Sequence, residues 1–224
     1  MGQYYTAVNI DKHDVLFPSS FDGGWKLTES CYVGNWFTDA LTSLLAGSWH
    51  GGRVMFVGDY AWAEAVEEGR NGCSGAALLR SLRQSGDLTG DPVVDADEND
   101  AWLSAARYFR RCDLGLSEAR RLTEDGRLVR KSFRYVINED RGVFYDRKSC
   151  PVALTWTDDE GHEHKLSQDP LLIFLAVGNG LGGGDYRSEQ AQELVGSWAC
   201  QAITASNERP EGLREIVNPF DPKA

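Results

Sequence analysis

Two short strand pairs, each turning through an Asn-x-Asp-basic sequence, set the firmest limit on what this chain can fold into. Tyr4–Ile10 and Val15–Phe17 are rich in β-branched and aromatic residues and enclose Asn9-Ile-Asp-Lys12. Ser132–Ile137 and Val143–Tyr145 enclose Asn138-Glu-Asp-Arg141 in the same way. Asn and Asp favour such turns because their short side chains bond to the backbone a few residues on. A third pair, Val152–Thr157 and His162–Leu166, turns through Asp158-Asp-Glu-Gly161. Hairpins at both ends of a chain favour an antiparallel sheet, and the strand–helix alternation of a doubly wound sheet is absent. The expected fold is α+β: a mainly antiparallel sheet built from hairpins of both chain ends, with three to four helices packed on one side. Residues 1–224 are expected to form a single domain with a helical insertion at about 60–115.

The echo extends further, since Gly47-Ser-Trp49 and Gly196-Ser-Trp198 each precede a strand. Either a weak duplication or one hairpin chemistry used twice accounts for this, and repeated chemistry is the simpler expectation.

Asn35 is placed to cap a helix whose apolar positions Trp36, Phe37, Ala40, Leu41, Leu44 and Leu45 recur every three to four residues, with Gly47 ending it. Further helices are expected over 61–68, 75–85 and 101–112, and strands over 53–57, 171–177 and 202–205. The run Leu171–Val177 reads as a buried strand emptying into a glycine-rich loop.

The net charge of −11 argues against a general nucleic-acid partner, because phosphate contacts need clustered Lys and Arg. An acidic DNA mimic is a third option behind the two readings given below. The five cysteines are widely spaced with no Cys-x-x-Cys pair, which suggests reduced thiols and a cytoplasmic location. No secretory signal is visible, and Leu171–Val177, the longest apolar run, is too short to span a bilayer. No membrane partner is expected.

Candidate chemistry gathers at two strand ends. Gly178, Asn179, Gly180, Gly182, Gly183, Gly184, Asp185 and Tyr186 follow one apolar run, and Gly58, Asp59 and Tyr60 follow another. Backbone N–H groups in glycine-rich turns can converge on an anion. Gly178-x-Gly180-x-x-Gly183 has the spacing of a dinucleotide fingerprint but lacks the following helix and the surrounding strand–helix–strand unit. Asp59 and Asp185 are candidate catalytic groups or ligands of a divalent metal if their strand ends converge, with Tyr60 and Tyr186 beside them. His162-x-His164 has the spacing to begin a zinc site but no further ligand at the usual spacing, and its setting reads as a charged hairpin tip. No nucleophile elbow and no Walker lysine motif occur.

The opening Met1-Gly-Gln-Tyr-Tyr-x-x-Val-Asn-x-Asp-Lys12, the run Arg53-Val-x-x-Val-Gly-Asp-Tyr-Ala61 and the run Gly178-Asn-Gly-x-Gly-Gly-Gly-Asp-Tyr186 resemble a group of bacterial and phage proteins with no assigned activity. The resemblance implies an intracellular bacterial or phage protein and carries over no functional residue. Two functions are therefore expected in order. The first is a non-enzymatic binding protein, in phage–host interaction for example, that meets a protein or small-molecule ligand with the Gly-Asp-Tyr loops. The second is a metal-dependent hydrolase or transferase acting on a phosphorylated small molecule through Asp59 and Asp185.

Overall fold

The computed structural model describes residues 4–12, 14–21, 26–58, 110–111, 120–122, 128–130, 132–177 and 193–220. The Asn-x-Asp turns form as their sequences predict: Asn9 Oδ1 accepts from Lys12 N at 2.9 Å, and Asn138 Oδ1 accepts from Arg141 N at 3.1 Å. The first turn joins β1 (Tyr5–Asn9) to β2 (Asp14–Leu16), and the second joins β7 (Tyr135–Asn138) to β8 (Val143–Asp146). The third hairpin is β9 (Val152–Thr157) with β10 (Glu163–Ser167).

Asn35 caps α2 (Trp36–Ala46), its Oδ1 accepting from Phe37 N at 2.9 Å and Thr38 N at 3.2 Å. A short α1 (Leu27–Ser30) precedes it, and β3 (Gly52–Gly58) follows. Phe37–Leu45 of α2 is buried throughout, so this helix lies inside the protein rather than along its surface. Thr204 ties it to the sheet by donating to the Leu45 carbonyl at 3.1 Å.

The main sheet has nine strands, mostly antiparallel, in the order β13-β8-β7-β12-β3-β1-β2-β4, with β11 also beside β3. Here β4 is Arg110–Arg111, β12 Gln201–Ser206, β13 Arg214–Glu215 and β11 Ala176–Val177. Val54 and Phe56 join the core with α2, while the alternate residues Met55 and Val57 are also buried. Burial on both faces explains why β3 reads as a continuous apolar run.

Its centre is palindromic: β8-β7-β12 mirrors β2-β1-β3 in order. The register agrees, because Gln201 pairs with Val54, Ala202 with Arg53 and Ile203 with Gly52. Equivalent bonds recur on both sides. Ile10 N donates to Arg53 O and Glu139 N to Ala202 O, both at 2.9 Å. Asp11 accepts from Arg53 N at 2.8 Å and Asp140 from Ala202 N at 2.9 Å. The left-handed residue before each strand is Gly51 (φ 64°) in one half and Cys200 (φ 59°) in the other. The echo thus marks a pseudo-two-fold repeat that extends well beyond turn chemistry. One place breaks it. Asn138 Nδ2 donates to Gln201 Oε1 at 2.6 Å, whereas Gly52 stands at the matching position and Asn9 Nδ2 is buried with no hydrogen-bond partner among the described residues.

Two expectations are corrected. Leu171–Val177 is not a strand: Leu171–Leu175 forms a short helix, α3, and only Ala176–Val177 is extended. Asp169-Pro170 decides this, because the Asp169 carboxylate accepts from Leu171 N at 3.1 Å and Pro170 O accepts from Phe174 N at 2.9 Å. The helix expected over 101–112 does not run to its end. Arg110–Arg111 form β4, pairing parallel with Asp14 and Val15 along the outer edge of β2. Two further strands, β5 (Arg120–Leu122) and β6 (Leu128–Arg130), form a separate hairpin. The helices expected over 61–68 and 75–85 lie outside the described residues. No helix among the described residues is long and apolar enough to cross a membrane.

Candidate functional site

The two approach strands to the glycine-bearing loops are neighbours. β11 pairs parallel with β3, Ala176 opposite Phe56 and Val177 opposite Val57, so the described chain leaves the sheet at Gly58 and at Val177 from the same end. Asp59, Tyr60 and Gly178–Tyr186, the residues singled out from sequence, lie outside the described residues.

Beside this end a pocket of about 180 Å³ opens. Its walls come from both flanks of the glycine-rich segment, Phe174 before it and Glu193, Leu194 and Trp198 after it. Phe174 and Trp198 stack with centroids 4.5 Å apart, and Trp198 N donates to Phe174 O at 2.8 Å. Gly196 lets this turn pass close to β11: its φ is 70°, and a Cβ there would lie 2.7 Å from the Ala176 carbonyl oxygen.

Charged groups rim the apolar floor. Arg141, the basic residue of the second Asn-x-Asp turn, donates through Nε to Gln201 Oε1 at 3.0 Å and through Nη2 to Ser197 O at 2.5 Å. Arg214 is held at the rim by β13, its backbone N donating to Gly142 O at 3.0 Å. Both guanidinium groups and the Glu193 carboxylate are exposed, so the pocket presents positive and negative charge over an aromatic floor.

Behind the floor lies a fully buried polar network. Tyr145 packs edge-on against Phe174 at 6.0 Å and donates its hydroxyl to Asp169 Oδ1 at 2.7 Å. Arg147 bridges two carboxylates, with Nε on Asp169 Oδ2 at 2.6 Å and Nη2 on Asp39 Oδ1 at 3.0 Å. Burial works against the Arg147 charge, but Asp169, with Tyr145 and Asp39, outweighs it and raises the guanidinium pKa above its ordinary value. Burial and then Asp169 raise the Tyr145 hydroxyl well above the usual phenol range. Two free thiols share this environment: burial and then Asp169 push Cys31 up to about 12 and also raise Cys150. Such thiols are poor nucleophiles, and the network acts as a brace for the pocket floor.

Cys200 is disulfide-bonded, so the expectation of reduced thiols fails there, while Cys31 and Cys150 are free. His162 Nδ1 and His164 Nε2 both meet Asp158 Oδ2, at 3.3 and 2.7 Å, as members of a charged hairpin tip. Among the described residues no group of three or more His, Cys, Asp or Glu side chains is placed to hold a metal ion.

Sequence reasoning missed the pocket because its walls come from separate segments. Two local motifs lie on its walls, the basic residue of the second Asn-x-Asp turn and the Trp of the second Gly-Ser-Trp, but both read from sequence as turn chemistry and not as a site. No family model, no curated protein and no solved structure matches the chain.

Proposed function

We propose that this is a non-enzymatic binding protein whose ligand is a small zwitterion with an apolar body, an apolar α-amino acid being the simplest case. The observation that carries the reading is the pocket composition: Arg141 and Arg214 for a carboxylate, Glu193 for an ammonium group, and stacked Phe174 and Trp198 for a side chain. Its volume of about 180 Å³ is below that of drug-sized sites, which favours a single small molecule. The parallel pairing of β3 with β11, the two strands that precede the Gly-Asp-Tyr segments, supports a shared role for Asp59-Tyr60 and Gly178–Tyr186. The resemblance to bacterial and phage proteins favours a role in such cells.

A thermal-shift panel tests this. Leucine or phenylalanine should raise the melting temperature, with about 2.7 kcal/mol of stabilisation at a hundredfold excess over Kd. The N-acetyl and amide derivatives, each lacking one charge, should do so weakly. Arg214→Gln should abolish the response. Stabilisation by divalent cations or nucleotides that Asp185→Asn removes, with none by amino acids, would overturn the reading in favour of a metal-dependent enzyme.

A further inference from the structure

The pseudo-two-fold repeat builds one wall of the pocket twice. The turn Gly47–Gly52 matches Gly196–Gln201 in its hydrogen bonds. His50 N donates to Gly47 O and Ala199 N to Gly196 O, both at 3.1 Å. Gly52 N donates to Trp49 O at 2.9 Å and Gln201 N to Trp198 O at 3.2 Å. A helix holds the backbone N–H of each tryptophan, Trp49 N donating to Leu44 O at 2.7 Å and Trp198 N to Phe174 O at 2.8 Å. The outer strands keep the same relation. Asp14 faces Asn9 across the first hairpin as Val143 faces Asn138 across the second. Arg110 of β4 pairs opposite Asp14, and Arg214 of β13 opposite Val143, both in parallel register. Lys12 and Arg141 hold equivalent places in the two turns.

The two copies differ in what meets the indole. In the first, Trp49 is wholly buried and its Nε1 donates to Asp14 Oδ2 at 3.1 Å, the aspartate being 5% exposed. In the second, Val143 stands in the place of Asp14 and offers no acceptor. Trp198 is 2% exposed, yet its Nε1 has no hydrogen-bond partner among the described residues and is not sealed off as Asn9 Nδ2 is. Trp198 and Val143 line the pocket together with Arg141 and Arg214. A nearly buried indole N–H ordinarily has an acceptor, and the open pocket is where this one can find it.

We propose that the ligand carboxylate sits on Trp198 Nε1, at the place in the second repeat that the Asp14 carboxylate holds on Trp49 in the first. The first repeat is then a copy of the site filled by the protein's own side chain, and the second is the copy left open. This rests on the amino-acid reading of the pocket and fixes the ligand's orientation within it. The carboxylate lies toward β8 and Trp198 Nε1, flanked by Arg141 and Arg214, and the ammonium group lies toward Glu193. The edge of the indole serves the carboxylate while its face stays stacked on Phe174. Trp198 is thereby a specificity-determining residue, selecting for an anionic end group as well as for an apolar body.

Calorimetric titration with leucine, and nuclear magnetic resonance of the indole N–H groups, test this on the full chain. Trp198→Phe keeps an aromatic ring and removes the donor. It should weaken leucine binding by at least about tenfold, the worth of a hydrogen bond to a charged group, with an unchanged circular dichroism spectrum. Val143→Asp rebuilds the first repeat's arrangement in the second. It should abolish leucine binding and, with no ligand added, move the Trp198 indole N–H signal downfield. Leucine binding to Trp198→Phe as tight as to the wild type would overturn the proposal and leave the amino-acid reading standing. A Trp198 signal unmoved in folded Val143→Asp would overturn it equally. A wild type that binds no leucine would overturn both.

Discussion

Replacing Arg147 by Met removes the guanidinium that Asp39 and Asp169 share inside the core. Arg147 and Asp39 are 2% exposed and Asp169 is wholly buried. Removing one partner of a buried ion pair costs about 3–5 kcal/mol, because a charge is left in a poorly solvating environment. Against a total stability of about 5–15 kcal/mol, this is a severe loss. With the urea dependence usual for chains of this size, the unfolding midpoint should fall by about 1–2 M. The loss should also depend on pH. A carboxylate stranded in the core binds its proton more tightly in the folded than in the unfolded state, so the folded protein holds more protons. The variant therefore keeps most stability below the unfolded carboxylate pKa of about 4 and loses it as pH rises through the raised folded value. The gap from wild type should be narrowest near that pH and widen toward neutrality. Combining Arg147→Met with Asp39→Asn and Asp169→Asn should recover much of the loss, since the stranded charges are then gone. Urea unfolding followed by tryptophan fluorescence across this pH range measures both effects. A cost below about 1 kcal/mol at neutral pH, or a gap that ignores pH, would refute the claim that the bridge neutralises buried carboxylates.

Other expectations are more local. Asn35→Ala should cost about 1 kcal/mol in thermal or urea unfolding, because the first turn of α2 loses the acceptor for two backbone N–H groups. Gly142→Ala should cost about 1–2 kcal/mol for its left-handed backbone alone, there being open space at its Cβ position. Gly196→Ala should cost more than Gly142→Ala in the same melts, because its added methyl would press on the Ala176 carbonyl. Cys31, pushed up to about 12, and Cys150 should resist thiol reagents at pH 8 in the native protein and react only as fast as it unfolds. Rapid labelling of either thiol, measured by mass spectrometry, would contradict their burial against Asp169.

Much of the sheet was legible in the sequence because its signals are local. Asn9 and Asn138 each bind the backbone three residues on, and Asn35 binds the first N–H groups of its helix, so neighbouring residues decide these structures. Leu171–Leu175 was misread because a short apolar run has no period that separates a buried helix from a buried strand. The deciding atoms belong to Asp169 and Pro170, just outside the run. Arg110–Arg111 was misread because pairing with the edge of β2 overrode a helical pattern. The repeat was visible as paired motifs, but its two-fold arrangement appears only in the register of β3 against β12. The pocket was the least legible feature. Arg141, Phe174, Trp198 and Arg214 meet through tertiary packing, and no spacing along the chain encodes their meeting.

The central claim is that the Phe174–Trp198 pocket binds an apolar amino acid, and nuclear magnetic resonance titration tests it most directly. Leucine added to ¹⁵N-labelled protein should shift the Trp198 indole N–H and the Arg141 and Arg214 side-chain N–H signals along one saturating curve. The Trp156 indole, on the exposed hairpin, should not move. Saturable shifts that bypass Trp198 and both arginines, or no saturable shift at all, would contradict the account.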